Sequence, residues 1–106
     1  VQNDYIETVA IKRVFGERAG QIPVSSNKSM TGHTIAGAGA IEEGLTIMGM
    51  HASVVLPTIN YEFPDPKCNL DYVPNKAREM EHSISLTNSF GFGGQNACLC
   101  LGKFAK

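Results

Sequence analysis

The most constraining feature of this chain is residues 33–51, a segment with almost no polar face. Apolar side chains and alanines recur on every side, and Glu42 and Glu43 are its only charged side chains before His51. A helix that is apolar all round is normally buried. The segment also contains four glycines, each of which costs a helix on the order of 1 kcal/mol relative to alanine. We therefore expect a buried helix that other backbones approach very closely.

A buried helix of about five turns needs a layer of structure on each side. The chain has 106 residues, and the remainder could barely surround such a helix. We therefore expect the whole chain, residues 1–106, to be an α/β domain that forms part of a larger fold. The polar stretch that starts at Val1 indicates neither a signal peptide nor a natural first residue.

Composition narrows the class of protein further. The chain is 42% hydrophobic and 18% charged, with a formal charge of −1, which is typical of a globular domain and not of a disordered one. Without a basic excess, no nucleic-acid partner is expected. No apolar run reaches the roughly 18 residues that a transmembrane helix requires, so no membrane partner is expected either.

Periodicity predicts the elements around the apolar segment. Residues 4–15 are predicted to form a helix, with Asp4 and Glu7 at the spacing of a capping box and Gly16 as the stop. Three short segments are predicted as strands: residues 22–25, 83–88 and 95–104. The other segments are predicted to be irregular: a polar turn at 26–29, an excursion at 56–74 with an extended piece at 58–60, and a glycine-rich hairpin turn at 90–94.

Three cysteines, an odd and low number, argue against a disulfide-stapled secreted domain. Cys98 and Cys100 are two residues apart in a predicted strand, so they should point to one face as small apolar packing groups. Together with Cys68 they lack the paired spacing of a zinc site, and no metal or other cofactor is expected. A reducing cytoplasm is the expected compartment.

The first candidate for chemistry is residues 28–33, Lys-Ser-Met-Thr-Gly-His. We expect His33 at the start of the buried helix, where the positive end of the helix dipole disfavours imidazolium. A neutral imidazole can donate a hydrogen bond to a developing oxyanion or accept a proton. Lys28, in the preceding polar turn, would attract a carboxylate or oxyanion. The same pattern fits a histidine that only caps the helix and a lysine at the surface.

Glu42 follows His33 by nine residues, which places it on the opposite side of a continuous helix. We therefore do not expect it to exchange protons directly with His33. A mostly buried carboxylate needs compensation, from Lys28, backbone amides or a bound cation. Alternatively, one of the neighbours Glu42 and Glu43 simply faces solvent.

The glycines of residues 90–94, Phe-Gly-Phe-Gly-Gly, allow unusual backbone angles and would let two phenylalanines move. The segment lacks the lysine of a phosphate-binding loop and no helix follows it, so a phosphate cradle is not indicated. A tight hairpin with aromatic side chains in the core explains the same residues.

Taken together, these motifs resemble the β-ketoacyl-acyl carrier protein synthases. The lysine–histidine motif at 28–33, followed by Ala-Gly-Ala-Gly-Ala-Ile-Glu at 36–42, is similar to one catalytic segment of the family. Residues 88–96, Asn-Ser-Phe-Gly-Phe-Gly-Gly-Gln-Asn, are similar to its C-terminal glycine-rich loop. Further segments that fit the family are residues 3–7, 57–60 and 64–66. The resemblance covers essentially the whole chain and is closest to elongating enzymes of the second bacterial type.

The resemblance implies a thiolase-like fold, in which two similar α/β halves form α/β/α/β/α layers, usually in a homodimer. This chain would be most of the C-terminal half, with a mixed sheet around the buried central helix. The implied reaction is the decarboxylating Claisen condensation of acyl groups with malonyl-acyl carrier protein in fatty acid biosynthesis. The implied partners are acyl carrier protein and the N-terminal half of the same enzyme.

The resemblance also implies roles for individual residues. His33 matches the second active-site histidine, which holds the malonyl thioester carbonyl, and Lys28 matches a lysine that orders the site electrostatically. Glu42 matches a buried glutamate of the supporting network, and Asp4 and Glu7 match acidic residues behind the site. The loop that gates the site, with Phe92 beside the nucleophile, is matched by Phe90, Gly91, Phe92, Gly93 and Gly94.

Two parts of the family's active site are missing from the sequence. By the resemblance, the nucleophilic cysteine belongs to the N-terminal half and the first histidine is expected just upstream of Val1. None of the three cysteines present matches the nucleophile motif. We therefore expect the isolated chain to be inactive. Three alternatives stay open: a fragment of a polyketide or nodulation-type ketosynthase, a non-catalytic chain-length factor, and a free-standing small binding domain. A chain-length factor would not need to keep both Lys28 and His33.

Overall fold

The computed structural model describes residues 2–91 and 94–104, and its first element is helix α1, Gln2–Phe15. Lys12 and Arg13 lie in its last turn, where cations interact favourably with the helix dipole. The helix ends where predicted, because Gly16 adopts a φ of +60°, and a 3-10 helix follows at Gly16–Gln21. The predicted capping box is wrong, since the helix begins at Gln2 and Asp4 lies inside its first turn.

The strand predicted at residues 22–25 does not form within the described part of the chain, although Ile22 is extended. Their backbone hydrogen bond to a distant segment runs from the Val24 N–H to the Asp71 carbonyl, at 2.7 Å. A strand requires a ladder of such bonds with a neighbour. The polar turn that follows is tightened into a one-turn helix, α2, Lys28–Thr31, which ends at Gly32 with a φ of +74°.

The apolar segment forms helix α3, Ala38–Ala52, preceded by a 3-10 turn at Ile35–Gly37. The predicted start at residue 33 is therefore five residues too early. Ala38, Gly49 and Met50 are buried, whereas Ile47 and Met48 are 50% and 68% exposed. Such exposure of apolar side chains agrees with the expectation that further layers are needed to cover this helix.

The close backbone approach expected for the glycines of this helix occurs at Gly49. A Cβ atom there would lie 2.8 Å from the carbonyl oxygen of Val54, in the strand that follows. A Cβ at Gly39 would lie 3.5 Å from the hydroxyl of Ser89, whereas a Cβ at Gly44 would meet no atom within 4 Å. Contacts within this chain therefore explain the glycine at position 49 fully and the glycine at position 44 not at all.

The strands form two antiparallel pairs. Strand β1, Val54–Val55, pairs with β2, Arg78–Glu79, and strand β3, Ile84–Phe90, pairs with β4, Asn96–Gly102. The predicted hairpin is confirmed, with a register that runs from Ile84 opposite Gly102 to Phe90 opposite Asn96. Helix α3 packs against β3 and β1, which makes the architecture α/β.

The predicted irregular excursion at residues 56–74 is confirmed, and its ends are joined by a parallel bridge between Thr58 and Pro74. The Asn75 side chain exchanges two hydrogen bonds with the backbone of Tyr61, at 2.9 and 2.8 Å. The Tyr72 hydroxyl lies 2.7 Å from that of Thr8 and so connects the excursion to α1. In the described residues no helix combines the length and the apolarity needed to cross a membrane.

Candidate active site

Lys28 and Glu42 form the central ion pair of the candidate site. The Lys28 Nζ donates a hydrogen bond to Glu42 Oε1 at 2.6 Å, which joins α2 to the second turn of α3. The lysine side chain is 35% exposed and the glutamate side chain 14% exposed. Of the sources of compensation that the sequence left open for Glu42, the structure therefore supplies the lysine. The other carboxylate oxygen of Glu42, Oε2, is buried and has no hydrogen-bond partner among the described residues.

Glu7 lies close enough to this pair to respond to its charge. Burial raises the pKa of the Glu7 carboxyl above its ordinary value, while the nearby Asn88 amide and the Lys28 ammonium lower it. The charge of Asp4, which is exposed in the first turn of α1, contributes to the rise. Lys28 is thus bonded to Glu42 and lowers the pKa of Glu7, and the charge of Asp4 acts on the same Glu7 carboxyl.

His33 does not occupy the start of α3, because the chain turns twice before the helix begins. Gly32 and Ile35 both adopt positive φ values, +74° and +56°, so regular helix starts only at Ala38. The backbone N–H of Ile35 donates a hydrogen bond to His33 Nδ1 at 3.1 Å. With Nδ1 an acceptor, a neutral ring carries its proton on Nε2. A backbone amide, and not the end of a long helix, therefore fixes which nitrogen can donate.

Ile35 is the functional residue that the sequence interpretation missed. A β-branched residue with positive φ is an uncommon and strained conformation, and it directs the Ile35 amide at the imidazole. No sequence signal marks the position, since glycine or asparagine is the residue expected at such a φ.

The glycine-rich turn connects the tips of β3 and β4 beside the start of α3. Phe90 is 48% exposed, and the Gly91 N–H donates to the Gln95 carbonyl across the turn. Gly94 has a φ of +87°, which favours glycine, and a Cβ at Gly91 would lie 3.2 Å from that carbonyl oxygen, so a side chain there would need the turn to shift by a few tenths of an ångström. The predicted gate, Phe92, and its neighbour Gly93 lie outside the described residues.

The cysteines contribute no second catalytic group to this neighbourhood. All three are free thiols, and Cys98 and Cys100 are exposed on β4 opposite Asn88 and Leu86, on one face of the hairpin as predicted. Their predicted burial as packing groups does not occur in this chain. No cluster of three side chains suited to a metal ion occurs within residues 2–91 and 94–104.

Comparison with known proteins places this geometry in context. Residues 1–62 match the family model described as "Beta-ketoacyl synthase, C-terminal domain". Over 102 residues the chain is 51% identical to 3-oxoacyl-[acyl-carrier-protein] synthase 2 of Synechocystis sp., and over 100 residues 48% identical to the protein of the same name from Coxiella burnetii. These alignments cover 96% and 94% of this chain but 24% of each relative. The chain thus spans about a quarter of the length of the curated relatives it matches.

Solved structures give the same result for the fold. A type II polyketide ketosynthase, in complex with its acyl-carrier protein and bound to a hexaketide, superimposes with a TM-score of 0.91 at 42% identity. A β-ketoacyl synthase from Burkholderia phymatum superimposes with a TM-score of 0.84 at 39% identity. Each covers 93% of this chain and is itself covered to 24%. The expected thiolase-like α/β fold is thereby confirmed.

Proposed function

Because the chain belongs to the β-ketoacyl synthase family, we propose that the protein containing it is a 3-oxoacyl-[acyl-carrier-protein] synthase of fatty acid elongation. In this proposal residues 1–106 form most of its C-terminal domain. Curated relatives with that activity in their name are 46–51% identical to the chain, whereas the type II polyketide ketosynthase is 42% identical and the ishigamide ketosynthase/chain length factor 37% identical. This difference favours the fatty-acid enzyme over the polyketide alternative.

The hydrogen bond from the Ile35 N–H to His33 Nδ1 is the observation that carries the proposal. It leaves the Nε2–H of His33 as a donor for the carbonyl oxygen of a malonyl thioester. The bond between the α-carbon and the carboxylate then breaks and carbon dioxide leaves. The electron pair of that bond stays on the thioester and forms an enolate. A donor already aimed at the oxygen stabilises the enolate, because its reorganisation is complete before the charge develops.

The enolate carbon then attacks the acyl thioester held by a cysteine outside this chain. A carbon–carbon bond forms, the carbon–sulfur bond breaks, and the electron pair returns to the cysteine sulfur as thiolate. Lys28 supplies positive charge on this side of the site, and Glu42 holds the ammonium in place. Asp4 and Glu7 support this network, and residues 90–94 gate the acyl group through Phe92.

Exposed apolar surfaces support the proposal that the rest of a longer enzyme covers this chain. Ser89 faces α3 across the close approach to Gly39, so Leu86 and Ile84 point away from α3 on the other face of the hairpin. They are 47% and 68% exposed. We propose that the N-terminal half of the same enzyme and a second copy in a homodimer bury such surfaces, and that acyl carrier protein delivers the substrates to a cytoplasmic enzyme.

The test measures carbon dioxide release from malonyl-acyl carrier protein by the full-length protein. Removing an oxyanion donor typically costs about 10²- to 10³-fold in rate, so His33→Ala should lower decarboxylation by at least about 100-fold. His51→Ala is the matched control, since His51 is exposed at the other end of α3. A His33→Ala protein that decarboxylates at the rate of the His51→Ala protein would refute the proposed role. The isolated chain should show no condensation, because it lacks a nucleophile motif.

A further inference from the structure

Two hydroxyl groups fasten the one-turn helix α2 to the distant excursion. Ser29 Oγ accepts a hydrogen bond from the Ile59 N–H at 2.9 Å and donates one to the Ser26 carbonyl at 2.8 Å. Thr58 Oγ1 accepts a hydrogen bond from the Ser26 N–H at 3.0 Å. Residues 26–29 are thus joined to residues 58–59 by two long-range bonds. No feature of the sequence pointed to either hydroxyl.

The excursion is a firm anchor at this point. The Thr58 N–H donates to the Val73 carbonyl at 3.0 Å, and the Asn75 N–H donates to the Thr58 carbonyl at 2.8 Å. Val73 itself is only 1% exposed. A helix of one turn has no stability of its own, because nucleation fixes several residues for a single hydrogen bond. The position of α2 therefore depends on what it is attached to.

Lys28, the first residue of α2, is consequently held at both ends. Its side chain is bonded to Glu42 on α3, and its backbone belongs to the turn that Ser29 and Thr58 attach to the excursion. We propose that Ser29 and Thr58 are positioning residues for Lys28. Their hydroxyls hold α2 against the excursion, and the position of α2 in turn keeps the Lys28 ammonium at Glu42, where its charge acts on the proposed site. This inference rests on the proposed function and extends it to groups that do not touch the substrate.

The experiment separates the two half-reactions of the full-length protein. Ser29→Ala and Thr58→Val remove the hydroxyls, and Thr58→Val preserves the shape of the side chain. Each should lower kcat for decarboxylation of malonyl-acyl carrier protein by about three- to tenfold, the effect of one neutral hydrogen bond. KM and the rate of enzyme acylation should stay close to those of the wild type, and the thermal unfolding midpoint should fall by no more than the loss of one hydrogen bond explains. Ser29→Thr and Thr58→Ser, which keep the hydroxyls, should restore decarboxylation.

Ser25→Ala serves as the control, because the hydrogen bond of the Ser25 hydroxyl within residues 2–91 and 94–104 is local, at 3.4 Å from Asn27 Oδ1. An unchanged decarboxylation rate in both hydroxyl-free variants overturns the inference. So does a parallel fall of acylation, decarboxylation and unfolding midpoint, or a failure of both variants to fold, since each outcome assigns the hydroxyls to stability alone. Measuring His33→Ala beside them distinguishes the two proposals: its loss of activity alongside unaffected Ser29 and Thr58 variants leaves the proposed function standing.

Discussion

Replacing Gly49 with alanine should destabilise the protein, although alanine is the better helix former. Gly49 is buried near the end of α3, and a Cβ there would lie 2.8 Å from the carbonyl oxygen of Val54. That separation is shorter than real Cβ atoms tolerate, and the oxygen belongs to backbone in β1, which no rotamer change can move away. Room for the methyl group requires a shift of α3 relative to β1.

The magnitude follows from two opposing contributions. Overpacking a tight site costs about 1–3 kcal/mol, and replacing glycine by alanine inside a helix returns about 0.8–1 kcal/mol. Because the contact is with backbone, the cost lies toward the upper part of its range. We expect a net loss of about 1–2 kcal/mol of unfolding free energy.

Gly20→Ala provides the matched control. Gly20 is exposed in the 3-10 helix, its φ is not left-handed, and a Cβ there would meet no atom within 4 Å. This variant should be equal to the wild type or up to about 1 kcal/mol more stable, because alanine restricts the unfolded chain. The stabilities are compared by equilibrium urea unfolding of the full-length protein, followed by far-ultraviolet circular dichroism. A Gly49→Ala midpoint equal to or above that of Gly20→Ala would show that the close approach does not limit this position.

Three further substitutions test other parts of the structure. Glu42→Gln should lower decarboxylation by about tenfold, equivalent to about 1.4 kcal/mol, because the amide no longer balances the Lys28 ammonium 2.6 Å away; an unaltered carbon dioxide release rate would contradict this. Arg78 hydrogen-bonds to Asp71 and lowers the pKa of that carboxyl. The ion pair therefore stabilises the folded protein above the ordinary aspartate pKa, and this stabilisation is lost as the pH falls through the lowered value. Urea midpoints of wild type and Asp71→Asn should therefore differ most near neutral pH and converge in acid, and a constant difference would exclude the ion pair as the cause. Gly44→Ala should destabilise the full-length protein, because we propose that the rest of the enzyme packs on that side of α3, where this chain leaves open space; a gain in stability would contradict that packing.

The helical pattern of residues 33–51 could be predicted, but not its true starting point. Periodicity depends on side chains facing an apolar environment, and Ile35, Ala36 and Gly37 continue the apolar pattern of the residues that follow. The start at Ala38 depends instead on the positive φ values of Gly32 and Ile35. The isoleucine adopts a conformation that its own side chain disfavours, so only its surroundings can impose it.

Residues 22–25 show in the same way which features the local sequence predicts and which depend on a distant partner. The sequence of this segment favours extended backbone, yet a strand needs a partner that supplies a hydrogen-bond ladder. Only the bond from the Val24 N–H to Asp71 joins it to a distant segment in the described structure. By contrast, the hairpin of β3 and β4 was predictable because both strands and their turn lie within one short stretch of sequence.

By itself, the sequence determined the class of fold, the hairpin, the irregular excursion and the family, because these depend on local periodicity and on contiguous motifs such as residues 28–33. It also predicted that Glu42, if buried, needs compensation from Lys28, backbone amides or a cation, and left open that Glu42 or Glu43 faces solvent instead. Only the tertiary structure decided that Lys28 supplies the charge, that the Ile35 amide selects the donor nitrogen of His33, and that Ser29 and Thr58 hold α2. Each of those contacts depends on local backbone geometry or joins residues that are distant in the sequence. The periodicity of side chains along the chain carries no information about such contacts.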